Sequence, residues 1–223
     1  IMSQVKGKAE RIAISSASSL SDDEVVEDMR VRLAEMFPVG HELYPFQYAG
    51  VRFAELADGR ALIGDDMGVG KTIQAIGYAA LHQEYWPVLV VCPANVKYNW
   101  LKELREWLPD VHTDVIKNGK DEVSDADFTV INYDLMSKKK DELLDKGYNL
   151  VIYDESHYLK NSKAKRTQAS VALGKNATSV LCLSGTAMTN RPIELFTTLE
   201  LVRPAEYEGQ FFPFAKRYCG AEH

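Results

Sequence analysis

A glycine-rich run between an apolar segment and an amphipathic one constrains the fold of this chain more than any other feature. Residues 64–72 read GDDMGVGKT, and a closing Lys-Thr pair is typical of a loop that binds phosphate groups at the start of a helix. In such a loop Lys71 reaches the outer phosphates and the Thr72 hydroxyl binds magnesium. The strict pattern has glycine where this chain has Asp65, so the later glycines must supply the tight backbone. The residues predicted to bind phosphate are Asp66, Met67, Gly68, Val69, Gly70, Lys71 and Thr72.

Short apolar segments alternate with longer amphipathic segments from residue 41 onward. This pattern predicts an α/β fold, with a doubly wound, mostly parallel sheet that helices cover on both faces. The predicted strands are 61–64, 88–92, 113–116, 128–132, 150–153 and 179–183. The predicted helices are 46–57, 72–85, 96–107, 135–144, 164–173 and 192–202. Ligands of such sheets bind beyond the carboxyl ends of the strands, and the polar motifs of this chain follow its predicted strands.

The predicted strand 150–153 is followed by two acids and a histidine, in the run LVIYDESH. Alone, such an acidic pair is often a helix N-cap. With a phosphate loop upstream, Asp154 is expected to hold magnesium, directly or through water, and Glu155 to orient and deprotonate the attacking water. His157 has no second metal-ligand pattern beside it and is predicted to be a coupling residue. Lys71, Asp154 and Glu155 are therefore the predicted catalytic residues.

Two more polar segments are predicted to border the nucleotide. Gln47, in the run LYPFQ, offers an amide donor and acceptor that match N6 and N7 of adenine, which would select ATP over GTP. The run LSGTAMTN follows an apolar strand, and its Ser184 and Thr186 could link the acidic strand end to a nucleic-acid track. Taken alone, the glutamine could equally lie on a helix surface, and the second segment could be an ordinary polar loop.

Composition excludes several other classes of protein. The 223 residues contain no apolar run of about 18, which predicts an intracellular protein without membrane association. Cys92, Cys182 and Cys219 lack the spacing of a zinc site or a disulfide framework, and the first two are expected to be buried thiols. The net charge of -6 disfavours a surface that is basic all over, but it allows a local basic track.

Residues 1–40 are predicted to form an extension. The polar run 15–23, SSASSLSDD, predicts a linker. After it, apolar residues recur at helical spacing until Pro38 and Gly40, which predicts one amphipathic helix.

Taken together, these motifs resemble those of superfamily-two helicases. The phosphate loop, the DESH box, the upstream glutamine, CPANVKYNW, INY and SGTAMTNRP occur in the order and spacing of that superfamily. The runs DDMGVGKTIQAI and DESHYLKN, with Trp86 and Trp100, are similar to the Swi/Snf family, nearest its annealing-helicase (HARP-like) branch. The resemblance covers residues 42–204 and implies a RecA-like, P-loop NTPase lobe at 41–204.

This branch uses ATP to move along double-stranded DNA and to rewind or remodel forks. The resemblance therefore implies a DNA-dependent ATPase of DNA repair, with ATP and magnesium as cofactors and double-stranded or forked DNA as partner. The DNA contacts carried over by position are Asn95, Lys97, Asn132, Tyr133, Lys160, Asn161, Asn190 and Arg191. Such contacts would position a strand without reading its bases. The chain departs from the family at Ala187, where proline is common.

The resemblance also implies a second RecA-like lobe in the same polypeptide, which carries an arginine finger worth about 10³ to 10⁵ in rate. We expect residues 205–223 to begin the connection to it, and the first lobe alone to hydrolyse ATP weakly. The protein is expected to act as a monomer on DNA, in a bacterial or phage cytoplasm or in a nucleus. Two alternatives stay open, an RNA-directed helicase of the DEAD/DEAH kind and an ATP-dependent DNA-binding scaffold without turnover.

Overall fold

The computed structural model describes residues 23–186 and 192–219. Nearly all of the predicted linker lies outside these residues, as do Ala187 and the predicted DNA contacts Asn190 and Arg191. The described strands are β1 Arg60–Ile63, β2 Val88–Cys92, β3 Thr113–Val115, β4 Phe128–Asn132, β5 Leu150–Asp154 and β6 Ser179–Leu183. They form one parallel sheet in the order β1, β6, β5, β2, β4 and β3.

Helices connect the strands. The described helices are α1 Asp23–Ala34, α2 Pro45–Leu56, α3 Lys71–Leu81, α4 Lys97–Trp107, α5 Tyr133–Lys138, α6 Lys140–Lys146, α7 Lys165–Asn176, α8 Phe196–Val202, α9 Pro204–Tyr207 and α10 Phe211–Cys219. Four single 3-10 turns accompany them, at Gln83–Tyr85, Ala94–Val96, Ser156–Leu159 and Pro192–Leu195. None of the helices in the described ranges is long and apolar enough to cross a membrane.

The two faces of the sheet support two separate apolar cores, because side chains alternate along each strand. Val88, Val90 and Cys92 of β2 face the core that α1 to α4 cover. Leu89 and Val91 face the core that α5 to α8 cover. Apart from β3, the strands are largely buried on both sides, which explains why they read as mostly apolar runs. The prediction of a doubly wound parallel α/β fold is confirmed.

The register of the strands brings the predicted motifs to one edge of the sheet. Leu183, the last residue of β6, pairs with Ile63 at the end of β1 and with Asp154 at the end of β5. The segments that follow these three strands are the phosphate loop, the DESH box and the run Ser184-Gly185-Thr186, here called the SGT run. Since parallel strands end level with one another here, the three motifs must lie side by side.

Helix α1 packs directly on the lobe, and an ion cluster fixes it there. Met29 and Leu33 are fully buried among the helices of the first core. Arg32 donates to Glu55 of α2 at 2.5 and 3.0 Å, and Nε2 of His82, which follows α3, lies 3.1 Å from the same carboxylate. Burial favours the neutral form of Glu55, but the hydrogen bonds from His82, Arg32 and Arg52 outweigh it and hold the pKa of Glu55 well below its usual value.

Several elements differ from the sequence prediction. The predicted helix 135–144 is two helices that meet at Lys139, whose φ of -102° and ψ of 15° depart from helical values. Lys139 is 5% exposed at this break, and its Nζ donates to the Glu142 carboxylate. The helix predicted at 72–85 ends at Leu81. Residues 205–223, predicted only as the start of a connection, include α10, whose Phe214 packs on Phe196 of α8.

Candidate active site

The phosphate loop bends through two glycines that a side chain could not replace without strain. Gly68 has φ +83° and Gly70 has φ +80°, both in the left-handed region. Gly70 is the residue before α3, so the loop runs directly into a helix of 11 residues. Successive N–H groups in left-handed turns and at a helix N-terminus form a concave site for anions. The backbone therefore fits the phosphate groups that the sequence predicts.

The ammonium group of Lys71 points into this loop. Nζ donates to the carbonyl oxygens of Asp65 and Asp66, at 2.8 and 2.7 Å. The ammonium group thus lies where phosphate oxygens would compete with the two carbonyl oxygens for its N–H donors. Thr72 is the next residue of α3 and is half-buried, at the start of the same helix.

Asp65, at the position where the strict loop pattern has glycine, has a partner that the sequence did not reveal. Its Oδ2 accepts a hydrogen bond at 3.1 Å from Nε2 of Gln74, a fully buried residue of α3. Gln74 in turn packs against Gly50 of α2, where an added Cβ would lie 1.9 Å from Oε1. An aspartate is therefore accommodated because a buried amide holds its carboxylate, and Gly50 leaves room for that amide.

Gln47 lies against the phosphate loop, and both ends of its amide are engaged. Nε2 donates to the carbonyl oxygen of Val69 at 3.0 Å, and Oε1 accepts from the N–H of Tyr44 at 2.9 Å. A primary amide has two N–H donors and two acceptor lone pairs. Each end of the amide therefore uses only part of its hydrogen-bonding capacity, the side chain is 5% exposed, and the protein contacts fix which end carries the nitrogen.

The Asp154 carboxylate is held on both oxygens. Oδ1 accepts from the N–H of Glu155 at 3.0 Å, and Oδ2 accepts from the indole Nε1 of Trp100 at 2.8 Å. Burial raises the pKa of Asp154, while the Trp100 bond and the nearby charge of Lys71 lower it. A carboxylate and the Thr72 hydroxyl are hard oxygen ligands, the kind that Mg²⁺ prefers, so these residues fit the metal.

Glu155 and His157 form the first link between the DESH box and the SGT run. Glu155 has φ +51°, and its Oε2 lies 3.1 Å from Nδ1 of His157. The same Nδ1 lies 3.3 Å from the Thr186 hydroxyl and 3.5 Å from that of Ser184. Three side chains of two motifs therefore converge on one imidazole nitrogen, which can hydrogen-bond one of them at a time.

A second contact joins the SGT run to the phosphate loop. Gly185 lies under Met67, and an added Cβ there would be 2.5 Å from Met67 Cγ and 3.3 Å from its backbone nitrogen. The buried Ser184 also donates its N–H to the carbonyl of Ile63 at the end of β1. The three motifs form one continuous site.

The residues predicted to contact DNA fall into two groups. Asn95, Lys160 and Asn161 are exposed, and Asn132 is half-buried with its Oδ1 capping α5 through the N–H of Leu135. The other two described residues, Lys97 and Tyr133, are buried.

Lys97 is only 5% exposed, because its stem is covered and Nζ donates to the carbonyl of Ile116 at 2.8 Å. Tyr133 is 3% exposed, and its hydroxyl donates to the carbonyl of Asp154 at 2.7 Å. Neither polar group is presented on the surface. Tyr158, which the sequence did not single out, is 39% exposed and stacks on Tyr133 with ring centres 5.4 Å apart.

Comparison with known proteins gives consistent results. A family model described as the SNF2-related domain matches residues 46–218. The chain is 45% identical over 183 residues to the SWI/SNF-related matrix-associated actin-dependent regulator of chromatin subfamily A-like protein 1 of Bos taurus, covering 81% of this chain and 19% of the relative. It is 37% identical over 189 residues to the DNA annealing helicase and endonuclease ZRANB3 of Homo sapiens, covering 81% and 17%. The chain thus spans about a fifth of the length of these relatives.

A solved structure shares the fold. The Sulfolobus solfataricus SWI2/SNF2 ATPase core in complex with dsDNA superposes with a TM-score of 0.72 at 26% identity, covering 84% of this chain and 41% of the other. The Sulfolobus solfataricus SWI2/SNF2 ATPase core domain gives a TM-score of 0.69 at 27% identity, covering 84% of this chain and 40% of the other.

Proposed function

The chain belongs to the SNF2-related domain family, and on that basis we propose that it is the ATP-binding lobe of a DNA-dependent ATPase that translocates on duplex or forked DNA. The observation that carries the proposal is the junction at the carboxyl edge of the sheet. There the phosphate loop, the DESH box and the SGT run make direct contact. A lobe that only bound nucleotide would need the first motif alone.

ATP is proposed to bind with its phosphates on residues 66–72 and its base against Gln47. Lys71 would exchange the carbonyls of Asp65 and Asp66 for phosphate oxygens, and the Thr72 hydroxyl and Asp154 would hold magnesium. When bound, the metal would offset charge on the phosphates during transfer to water. Glu155 would orient that water and accept its proton on a carboxylate oxygen.

His157 is proposed to couple this chemistry to DNA. Its Nδ1 contacts Glu155 on one side and Ser184 and Thr186 on the other, so a shift of the SGT run would change the position of the general base. The DNA track is proposed to run over the exposed Asn95, Lys160 and Asn161, beside Asn132, and to continue to Asn190 and Arg191. Lys97 and Tyr133 would support this surface from beneath.

The activity of the whole protein is proposed from its relatives. One carries the name DNA annealing helicase, and a solved relative holds dsDNA. We therefore propose rewinding or remodelling of DNA in repair, at an intracellular site where DNA is present. A second RecA-like lobe of the same polypeptide would complete the site and supply the arginine finger to a monomeric motor.

The test is the ATPase rate of a protein that carries this lobe together with a second lobe, with Lys71→Ala as control. Duplex, forked and single-stranded DNA and RNA are compared as activators. Strong stimulation by duplex or forked DNA that the Lys71 variant loses supports the proposal. Stimulation by RNA alone would favour an RNA helicase, and nucleotide binding without any stimulated turnover would favour a scaffold.

A further inference from the structure

In the described part of the site, Trp100 is the one residue whose side chain hydrogen-bonds the carboxylate of Asp154, which is proposed to hold magnesium. None of the roles assigned to the motifs explains this bond. It lies on α4, after β2, and is 1% exposed. Its indole Nε1 donates to Oδ2 of Asp154 at 2.8 Å. A buried indole needs an acceptor for its N–H, but a backbone carbonyl would serve that need equally well.

Trp86 shows this alternative within the same chain. Its Nε1 donates to the backbone carbonyl of Ala79 at 2.9 Å, with no carboxylate involved. Trp100 instead uses its donor on a side chain that can rotate. A hydrogen bond to a carboxylate fixes the rotamer of the side chain that carries it. A hydrogen bond to a helix carbonyl has no such effect, because the backbone already holds the carbonyl in place.

The geometry points to Trp100 as a positioning residue that orients the Asp154 carboxylate toward magnesium. With Oδ2 bonded by the indole and Oδ1 bonded by the N–H of Glu155, the carboxylate plane is fixed by two donors from different elements. The donors leave further lone pairs on both oxygens for the metal or its water. Hydrogen-bond partners of a metal-binding carboxylate set the orientation of that carboxylate. Loss of such a partner typically costs about 10–100-fold in metal affinity.

This inference rests on the proposed function, since it assumes that Asp154 holds magnesium. The test measures the binding of a fluorescent, non-hydrolysable ATP analogue to the whole protein as Mg²⁺ is titrated, and again in EDTA. In Trp100→Phe we expect the Mg²⁺ concentration at half-effect to rise by about 10–100-fold, with affinity in EDTA unchanged. A role in packing alone would weaken binding equally under both conditions.

Trp86→Phe is the matched control, because it also removes a bonded indole donor but not one at Asp154. If Trp100→Phe does not fold, benzothienylalanine at position 100 keeps the ring shape and removes only the N–H. An unchanged Mg²⁺ midpoint in the folded variant overturns the inference. A wild-type protein that binds the analogue equally with and without Mg²⁺ would instead contradict the proposed function itself.

Discussion

The side-chain nitrogen of Gln47 donates a hydrogen bond to the backbone carbonyl of Val69, 3.0 Å away in the phosphate loop. The residue proposed to read the base therefore also supports the loop that binds the phosphates. Substitution of Gln47 should for this reason affect two properties of the site, overall nucleotide affinity and the choice of base.

We expect Gln47→Ala to weaken ATP binding and to reduce discrimination against GTP by about 1–3 kcal/mol, the value of a good amide-to-adenine pair. The measurement is the affinity of both nucleotides by fluorescence competition. Gln83→Ala, at an exposed glutamine, is the control. An unchanged ATP to GTP ratio, with both affinities lower, would show that Gln47 supports the loop without reading the base.

His157→Ala should uncouple hydrolysis from DNA. Its polar contacts are with Glu155, Ser184 and Thr186 and not with the phosphate loop, so nucleotide affinity should stay unchanged. The stimulation by duplex DNA should fall by about 5–150-fold, the range of typical coupling energies. ATPase rates with and without DNA measure this, with the exposed His112→Ala as control. Equal loss of basal and stimulated rates would contradict coupling.

Lys97 and Lys160 should behave differently, although both were predicted to contact DNA. Lys97→Met leaves the buried carbonyl of Ile116 without its partner and should lower the free energy of unfolding by about 1–3 kcal/mol. Lys160→Ala, at an exposed site, should instead reduce the slope of log affinity for DNA against log salt by about 1. Urea unfolding and DNA titrations at several salt concentrations separate the two effects. A reduced salt slope in Lys97→Met would show that its ammonium reaches DNA.

Because of the ion cluster at Glu55, the free energy of unfolding should fall both at acidic pH and at alkaline pH. The pKa of Glu55 is lowered in the folded protein, so its contribution is present above about pH 4.3 and is lost as the pH falls further. The bond to Glu55 raises the pKa of His82, so that contribution is present below about pH 6.5 and is lost as the pH rises through the raised value.

Glu55→Gln should therefore cost most between about pH 4.3 and 6.5, by about 1.5–3 kcal/mol in free energy of unfolding. Urea unfolding at pH 3.5, 5.5 and 8.5 measures the profile. Glu27→Gln, at an exposed ion pair with Arg30, is the control and should change little. A cost that does not vary with pH would show that hydrogen bonds, rather than charges, hold α1 in place.

The sequence predicted the sheet well because its strands are buried on both faces. β2, β4 and β6 have the predicted bounds, since their largely apolar runs are bounded by proline or by polar residues. The break at Lys139 was not predictable, because the residues on either side favour helix equally well. The helix at Phe211–Cys219 was missed although its apolar residues recur at helical spacing, and in the structure that apolar side packs on the neighbouring α8.

Chemistry-bearing residue types were easier to predict than the residues that support them. The loop lysine and the acidic pair follow from local motifs, and their roles stay predictions for experiment. The partners Trp100 and Gln74 come from other elements, and only the folded structure shows which polar groups they meet. For Lys97 and Tyr133, also predicted as DNA contacts, the structure shows a burial that the sequence does not reveal, because position after a strand does not tell whether a long side chain turns outward or reaches a carbonyl beneath.

Within the described sheet, β1 lies at one edge and pairs only with β6, with Arg60 opposite Val180. The strand that leads into the phosphate loop therefore has no strand to pair with until almost the whole lobe has been translated. At about 5–20 residues per second, the nascent chain spends several seconds with its phosphate loop already synthesised but with β1 still unpaired. Ribosome-bound chains that stop before residue 179 should not retain nucleotide, so ATP can act as a reporter of complete synthesis of this lobe.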